Sequence, residues 1–190
     1  MNLTVAIPSY GRNRILLDTI HALLVLPQPP WELLIVDQTH DHDSNTEAEL
    51  QNLNSSRKIR WLRLDKPSIT KAMNVALIQA KGDRSLFLDD DIVPDTSLLN
   101  GHRLAGLENP EALIAGRVLQ PWHQGMPDPP NAPFLFNSLY PRPVREFMGG
   151  NFSLSPQQAI YIGGFDENFV RVAYRFEAEF AYRWKRAGYS

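Results

Sequence analysis

The feature that most constrains this chain is a regular alternation of short apolar runs with segments of helical periodicity. Residues 3–7 form a β-branched run that stops at Pro8, which is typical of a buried strand entering a loop. Apolar residues then recur at helical spacing from Arg14 until Pro27, and residues 31–36 form a second apolar run. A strand, a helix and a strand in this order predict a parallel pair joined by a right-handed crossover.

The same alternation continues along the chain. It predicts strands at residues 59–64, 85–88, 113–119 and 147–154, and helices at residues 68–80, 94–107 and 176–187. Residues 38–45 read as a loop or the entry to a helix. We therefore expect an α/β fold, Rossmann-like, with a mostly parallel sheet flanked by helices. Ligands of such sheets bind beyond the carboxyl ends of the strands.

One long segment breaks the alternation. Residues 121–143 contain seven prolines and almost no periodicity, which predicts an irregular segment of functional importance. We expect it to act as a lid that orders over a bound ligand. The aromatic residues that would pack when it closes are Trp122, His123, Phe134 and Phe136.

Bulk composition narrows the classes of protein. At 190 residues, 43% hydrophobic and 21% charged, the chain is expected to form one domain over residues 1–190. A net charge of −2 offers no clustered basic excess for nucleic acid or an anionic membrane. The absence of cysteine excludes disulfides and thiolate metal sites, so any cation would need oxygen or imidazole ligands. No run approaches the roughly 20 apolar residues of a membrane span, and no signal peptide is evident. We expect a cytoplasmic protein without a transmembrane segment.

The strongest local signal is an acidic triplet, Asp89, Asp90 and Asp91, directly after a predicted strand. Adjacent carboxylates repel one another unless a cation or hydrogen-bond donors offset their charge. In extended chain Asp89 and Asp91 point the same way, so they can share one divalent ion while Asp90 faces elsewhere. The alternative is a solvated acidic turn before the next helix.

Other polar residues follow the predicted strands or line the predicted helices in the first half of the chain. Asp37 closes the second strand, where it can accept from a base or a ribose hydroxyl, or cap a turn. Arg12 follows the first strand and offers fork-shaped donors to a diphosphate, or is surface charge. Lys71 and Asn74 share one helix face and either reach a phosphate or remain exposed.

Two glutamates begin the last predicted helix. Glu179 and Arg183 are spaced as an i,i+4 ion pair. Glu177 has no partner at that spacing, so it is a candidate general base, although a carboxylate at a helix start can also just compensate the helix dipole.

Taken in order, these segments resemble the inverting family 2 glycosyltransferases of GT-A fold over essentially the whole chain. The matching segments are residues 5–12, 33–37, 66–74, 86–94, 149–154 and 162–167. The resemblance implies that residues 1–95 form roughly a nucleotide-sugar half and residues 96–190 an acceptor half. It implies donor contacts from Pro8, Ser9, Tyr10, Arg12, Asp37, Lys71, Asn74, Asp89 and Asp90. It implies acceptor-side contacts from Gly149, Gly150, Asn151 and Glu179.

The resemblance also implies a mechanism. A hexose would pass from a nucleoside-diphosphate sugar to a hydroxyl acceptor, such as a glycan or a lipid-linked or cell-surface polysaccharide precursor, with inversion. Mg²⁺ or Mn²⁺ would be held by Asp89 and Asp91. Counting back six residues from Arg183 places Glu177 where the family has its catalytic Asp.

The chain departs from the family pattern in three places. Gln38, Thr39 and His40 follow Asp37 where Asp-Gly-Ser is usual, and Phe176 precedes Glu177 where many members carry Glu-Asp. The sequence ends two residues after Gly188, where many members continue.

Three other classes of protein are alternatives to a glycosyltransferase. A catalytically silent nucleotide-sugar-binding module is compatible with these departures and would bind donor without transfer. A nucleotidyltransferase would need a glycine-rich loop and an arginine where Pro8, Ser9 and Tyr10 stand. A glycosidase uses paired carboxylates but needs no nucleotide-binding half.

Overall fold

Six strands and six helices are formed within residues 1–121, 126–127, 136–170 and 173–190, the part of the chain that the computed structural model describes. In chain order they are β1 (Leu3–Ser9), α1 (Arg14–Leu24), β2 (Glu32–Asp37), α2 (Ser44–Ser55), β3 (Arg60–Arg63), α3 (Ile69–Gln79), β4 (Arg84–Leu88), α4 (Leu98–Glu108), β5 (Ile114–Ala115), β6 (Asn151–Leu154), α5 (Pro156–Tyr161) and α6 (Phe176–Arg186).

All six strands form one sheet in the order β3-β2-β1-β4-β6-β5. Strands β1 to β4 are parallel, whereas β6 runs antiparallel to both β4 and β5. Every residue of β1, β2 and β4 is buried, as expected for parallel strands that are covered on both faces. The predicted α/β fold with a mostly parallel sheet is confirmed.

Helices cover the two faces of the sheet with different side chains. Leu16 and Ile20 of α1 and Leu50 of α2 pack in an aliphatic cluster on one face. The other face is aromatic and holds α6 against the sheet. Its rings of Phe165 and Phe180 stack with their centroids 4.3 Å apart, which fixes the helix that carries Glu177.

Two predicted strands are shorter than expected. The strand predicted at residues 113–119 is reduced to β5, and the one predicted at 147–154 begins only at Asn151. The carboxamide of Asn151 explains the first difference, because its Nδ2 donates to the carbonyl of Arg117 at 3.0 Å where a strand ladder would continue. Gly149 and Gly150 lie outside the ladder, against two carboxylates described below.

Two helices were not predicted in full. Helix α2 begins at Ser44, where Asp43 accepts from the backbone N–H groups of Asn45 and Thr46. Its fully buried apolar residues are only Leu50 and Leu53, so its periodicity was too weak to read from the sequence. The short helix α5 was also missed.

Two further expectations concern the membrane and the lid. Within the described ranges, no helix combines the length and the apolar character needed to cross a bilayer. Of the residues named for the lid, Trp122, His123 and Phe134 lie outside the described residues, whereas the carbonyl of Phe136 accepts from Val118 at 2.8 Å.

Candidate functional site

The acidic triplet follows β4 at the carboxyl edge of the sheet, beside the end of β1. Asp90 is buried and accepts hydrogen bonds from Ser9 Oγ at 2.5 Å and from Arg12 Nε at 3.3 Å. Thr19 of α1 donates its hydroxyl to the Asp90 carbonyl at 2.9 Å. Asp90 therefore faces inward and ties the triplet to β1 and α1, while its two neighbours are exposed to solvent.

Asp89 and Asp91 are the exposed members of the triplet. Arg12 Nη2 donates to Asp91 Oδ2 at 3.2 Å. Although Asp89 is exposed as a residue, protein packed against its carboxylate partly desolvates it and raises its pKa to about 6. The negative charges of Asp91 and Asp90 add to this rise against the opposing effect of Arg12. The negative potential at Asp89 is thus only partly compensated by the protein, which is the environment that a bound cation stabilises.

Two adjacent glycines lie against Asp89 and Glu177. A Cβ added to Gly150 would overlap the Asp89 carboxylate, and one added to Gly149 would lie 2.9 Å from Glu177 Oε1. Both positions need the close backbone approach that only glycine allows. The two carboxylates, far apart in sequence, thus lie against two adjacent residues.

Glu177 is half-buried in the first turn of α6. Burial raises the pKa of its carboxyl group, and the charges of Asp89 and Glu146 raise it further. The nearby backbone N–H groups of Glu177 itself and of Gly149 act in the opposite direction and lower this pKa. A held carboxylate with a raised pKa can accept a proton from a substrate hydroxyl.

Asp37 is enclosed by protein donors. Its Oδ1 accepts from the Thr39 N–H at 2.9 Å, and its Oδ2 contacts His42 Nε2 at 2.6 Å and Trp61 Nε1 at 2.9 Å. Neither the Asp37 nor the His42 side chain has any exposed surface. The structure places Asp37 at the expected strand end but behind the rings that it holds.

The side chain of Asn74 forms its hydrogen bonds with other residues of the protein. Its Nδ2 donates to the Phe165 carbonyl and to Glu167 Oε1, both at 2.9 Å, and its Oδ1 accepts from the Phe165 N–H at 2.7 Å. It therefore holds the turn after α5, where Gly164 adopts a φ of 67°. Lys71, on the same helix, is exposed.

The remaining residues predicted for the donor side lie at the end of β1. Pro8 and Ser9 are buried, whereas Tyr10 is 61% exposed and Arg12 is partly exposed. Only Tyr10 and Arg12 of these four side chains are open to a ligand.

Two residues predicted for the acceptor side are held by other side chains. Asn151 Oδ1 lies 2.9 Å from Nε2 of His102, a buried histidine of α4 that sequence reasoning missed. The i,i+3 spacing of His102 from Leu99 is the one signal that could have indicated its buried position in α4, but nothing in the sequence indicates its partner. Glu179 forms a bidentate ion pair with Arg183, at 2.5 and 2.7 Å, which confirms the predicted i,i+4 pair.

The carboxylates of the acidic triplet are candidate ligands for a divalent cation. Over the described ranges, no group of three or more His, Asp or Glu side chains is arranged to hold a metal ion by itself. Asp89 and Asp91 supply two carboxylates, and Mg²⁺ is often bound through one or two carboxylates, with substrate phosphates and water completing the shell. The residues therefore fit a cation that binds together with a diphosphate.

Sequence comparison gives one family. The family described as "Glycosyl transferase family 2" matches residues 4–164. No curated protein sequence matches the chain significantly.

Solved structures with the same fold are glycosyltransferases. The mannosyltransferase PcManGT from Pyrobaculum calidifontis, in complex with GDP-Man and Mn²⁺, is 15% identical with a TM-score of 0.72, over 99% of this chain and 53% of that chain. S. aureus TarS 1-349 in complex with UDP-GlcNAc is 15% identical with a TM-score of 0.66, over 96% of this chain and 53% of that chain. The chain spans about half the length of these two structures. The GT-A fold expected from the resemblance is confirmed.

Proposed function

Because this chain belongs to glycosyl transferase family 2, we propose that it moves a sugar from a nucleoside-diphosphate donor to a hydroxyl acceptor with inversion of the anomeric carbon. The observation that carries the proposal is that Asp89 lies against Gly150 and Glu177 lies against its neighbour Gly149. Asp89 would act on the side of the departing diphosphate, and Glu177 would accept the proton of the attacking hydroxyl.

The donor binds at the carboxyl edge of the sheet. Arg12 has a partly exposed guanidinium for the diphosphate, and Tyr10 offers an exposed face to the nucleotide. Asp89 and Asp91 would hold Mg²⁺ or Mn²⁺, and such an ion would supply Lewis-acid stabilisation of charge on the diphosphate. A similar structure that contains GDP-Man and Mn²⁺, and another that contains UDP-GlcNAc, support a nucleotide-bound hexose as donor.

Two predicted donor contacts are assigned indirect roles. Asp37 fixes the rings of His42 and Trp61, and a direct contact with the base would require one of these donors to leave. Asn74 fixes the turn that contains Phe165. Lys71 remains available to a phosphate because its side chain is exposed.

Glu177 is the general base of the transfer. The acceptor oxygen forms a bond to the anomeric carbon, the bond from that carbon to the diphosphate oxygen breaks, and the hydroxyl proton passes to Glu177. General-base help is worth about 10²–10⁴ in rate. The close approach of Gly149 to Glu177 Oε1 and the packing of α6 on the sheet support a fixed position of this carboxylate.

The test compares Glu177→Gln with the parent protein in a transfer assay and in calorimetry with a nucleoside diphosphate and Mn²⁺. Transfer is expected to fall by about 10²–10⁴ while the affinity for the diphosphate is kept. Glu108→Gln, an exposed residue at the end of α4, is the control. Unchanged transfer by Glu177→Gln refutes the proposed base, and donor binding without transfer by the parent identifies a silent binding module.

A further inference from the structure

The residues around Glu177 are joined to the segment before the glycine pair at two points. Arg175 Nη2 donates to Glu146 Oε1 at 2.6 Å, and Gly149 approaches Glu177 so closely that a Cβ on the glycine would lie 2.9 Å from Glu177 Oε1. Glu146 and Gly149 lie on one segment, and Arg175 and Glu177 lie on the other. The segment that contains Glu146 and Gly149 therefore contacts the start of α6 at both Arg175 and Glu177.

The backbone at Arg175 is in a conformation that arginine rarely adopts. Arg175 is the residue before α6 and has a φ of 68°, and Ala173 nearby has a φ of 49°. Left-handed backbone is unfavourable for residues with a Cβ and persists where surrounding contacts impose it. Arg175 makes no side-chain cap to the helix; its guanidinium instead reaches sideways to Glu146.

A third contact ties the same two segments. Lys185 Nζ, further along α6, donates to the Val144 carbonyl at 3.0 Å. Phe176, between the strained residue and the base, is 7% exposed and packs on Phe165 with ring centroids 5.8 Å apart. The start of α6 is thus held by the core on one side and by the segment before the glycine pair on the other.

We propose that Arg175 and Glu146 are positioning residues, whose ion pair holds the left-handed turn that places the Glu177 carboxylate beside Gly149. This inference rests on the proposed function of Glu177 as the base. Neither Arg175 nor Glu146 touches the reacting atoms in this scheme. Their contribution is to the rate of transfer and not to the binding of donor.

The experiment measures kcat, the donor KM, the affinity for a nucleoside diphosphate with Mn²⁺, and the melting temperature of four variants. These are Arg175→Ala, Arg175→Gly, Glu146→Gln and the double variant Arg175→Ala with Glu146→Gln. Each single variant is expected to lose about ten- to a hundredfold in kcat, as for a misplaced catalytic group, with donor KM and affinity unchanged. The double variant is expected to be no slower than the slower single variant, because both remove one interaction.

Arg175→Gly separates the ion pair from the backbone strain. Glycine adopts the left-handed conformation without strain, so this variant keeps the fold but lacks the side chain that reaches Glu146. Arg57 is the matched control, because it is an exposed arginine with a φ of 59° in the turn between α2 and β3. Arg57→Ala and Arg57→Gly are expected to leave kcat unchanged.

Three outcomes overturn the inference: parent kcat for Arg175→Gly, additive losses in the double variant, or a kcat that falls only in proportion to the melting temperature across the Arg57 and Arg175 variants. Glu177→Gln is run beside them. If Glu177→Gln transfers at the parent rate, the proposed function of Glu177 has failed. If Glu177→Gln is inactive while the Arg175 and Glu146 variants keep the parent rate, only the positioning role has failed.

Discussion

Gly150 lies so close to the Asp89 carboxylate that a single methyl group on its Cα would collide with it. The contact joins the start of β6 to the end of β4, two antiparallel neighbours in the sheet. The pairing of these strands fixes the two backbones, so the Asp89 side chain itself would have to rotate away. The position of this carboxylate therefore depends on the absence of a side chain at residue 150.

Gly150→Ala is expected to displace Asp89 and to weaken Mn²⁺-dependent binding of a nucleoside diphosphate. Overpacking of this kind costs about 1–3 kcal/mol of folding free energy. Gly101→Ala is the control, since its Cβ would meet nothing within 4 Å and a glycine to alanine change within a helix gains roughly 0.5–1 kcal/mol. Calorimetry and thermal unfolding of both variants make the comparison. Parent-like affinity in Gly150→Ala would show that Asp89 is free to rearrange.

Asp91→Ala is expected to abolish the stabilisation that a nucleoside diphosphate gives in the presence of Mn²⁺. The fold without ligand should survive, because Asp91 is exposed and its contact with Arg12 is a surface ion pair. A ligand at 100 times its dissociation constant adds ~2.7 kcal/mol, which a thermal-shift measurement detects. Asp18→Asn, which breaks another surface pair, is the control. Equal shifts in Asp91→Ala and the parent would refute the metal site.

The free energy of unfolding is expected to fall as the pH is lowered, because His102 is buried in its neutral form. Burial lowers the pKa of His102 to about 4, from the ordinary value of 6.5. Between these values the unfolded chain binds a proton that the folded protein does not, so this contribution is fully present above pH 6.5 and is lost as the pH falls towards 4. Asp89 titrates in part of the same range with the opposite sign. The informative quantity is therefore the difference between parent and His102→Gln in unfolding free energy at pH 7 and pH 4.5, which should shrink at the lower pH.

The pH dependence of transfer should report the charges around Glu177. Only the ionised form of Glu177 accepts a proton, so activity should be lost as the pH falls through its pKa. Because this pKa is raised, the loss should begin at a higher pH than for an ordinary glutamate. Asp89 and Glu146 are the acidic groups that raise this pKa. Glu146→Gln removes one of these charges and should move the acidic limb of the kcat profile to lower pH. Arg175→Ala leaves Glu146 without its partner and should move the limb to higher pH. Shifts in the same direction would contradict this electrostatic account.

The sequence by itself determined the parts of the protein that depend on local patterns. Apolar runs bounded by turn residues identified β1, β2 and β4, because a strand covered on both faces must be apolar along its length. Since these strands are parallel, the residues at their ends meet at one edge, and Asp37 and the acidic triplet could be placed there before any coordinates. The i,i+4 pair of Glu179 and Arg183 followed from helix geometry alone.

Only the tertiary structure decided which polar side chains face a ligand and which face the protein. Asp37 is enclosed by Trp61, Asn74 by Phe165, and Asn151 by His102. In each case the partner is remote in sequence, so no local pattern distinguishes a buried hydrogen bond from an open binding group. The reversal of β6 and the pairing of Arg175 with Glu146 have the same origin, because both depend on how distant segments pack and not on the periodicity within either one.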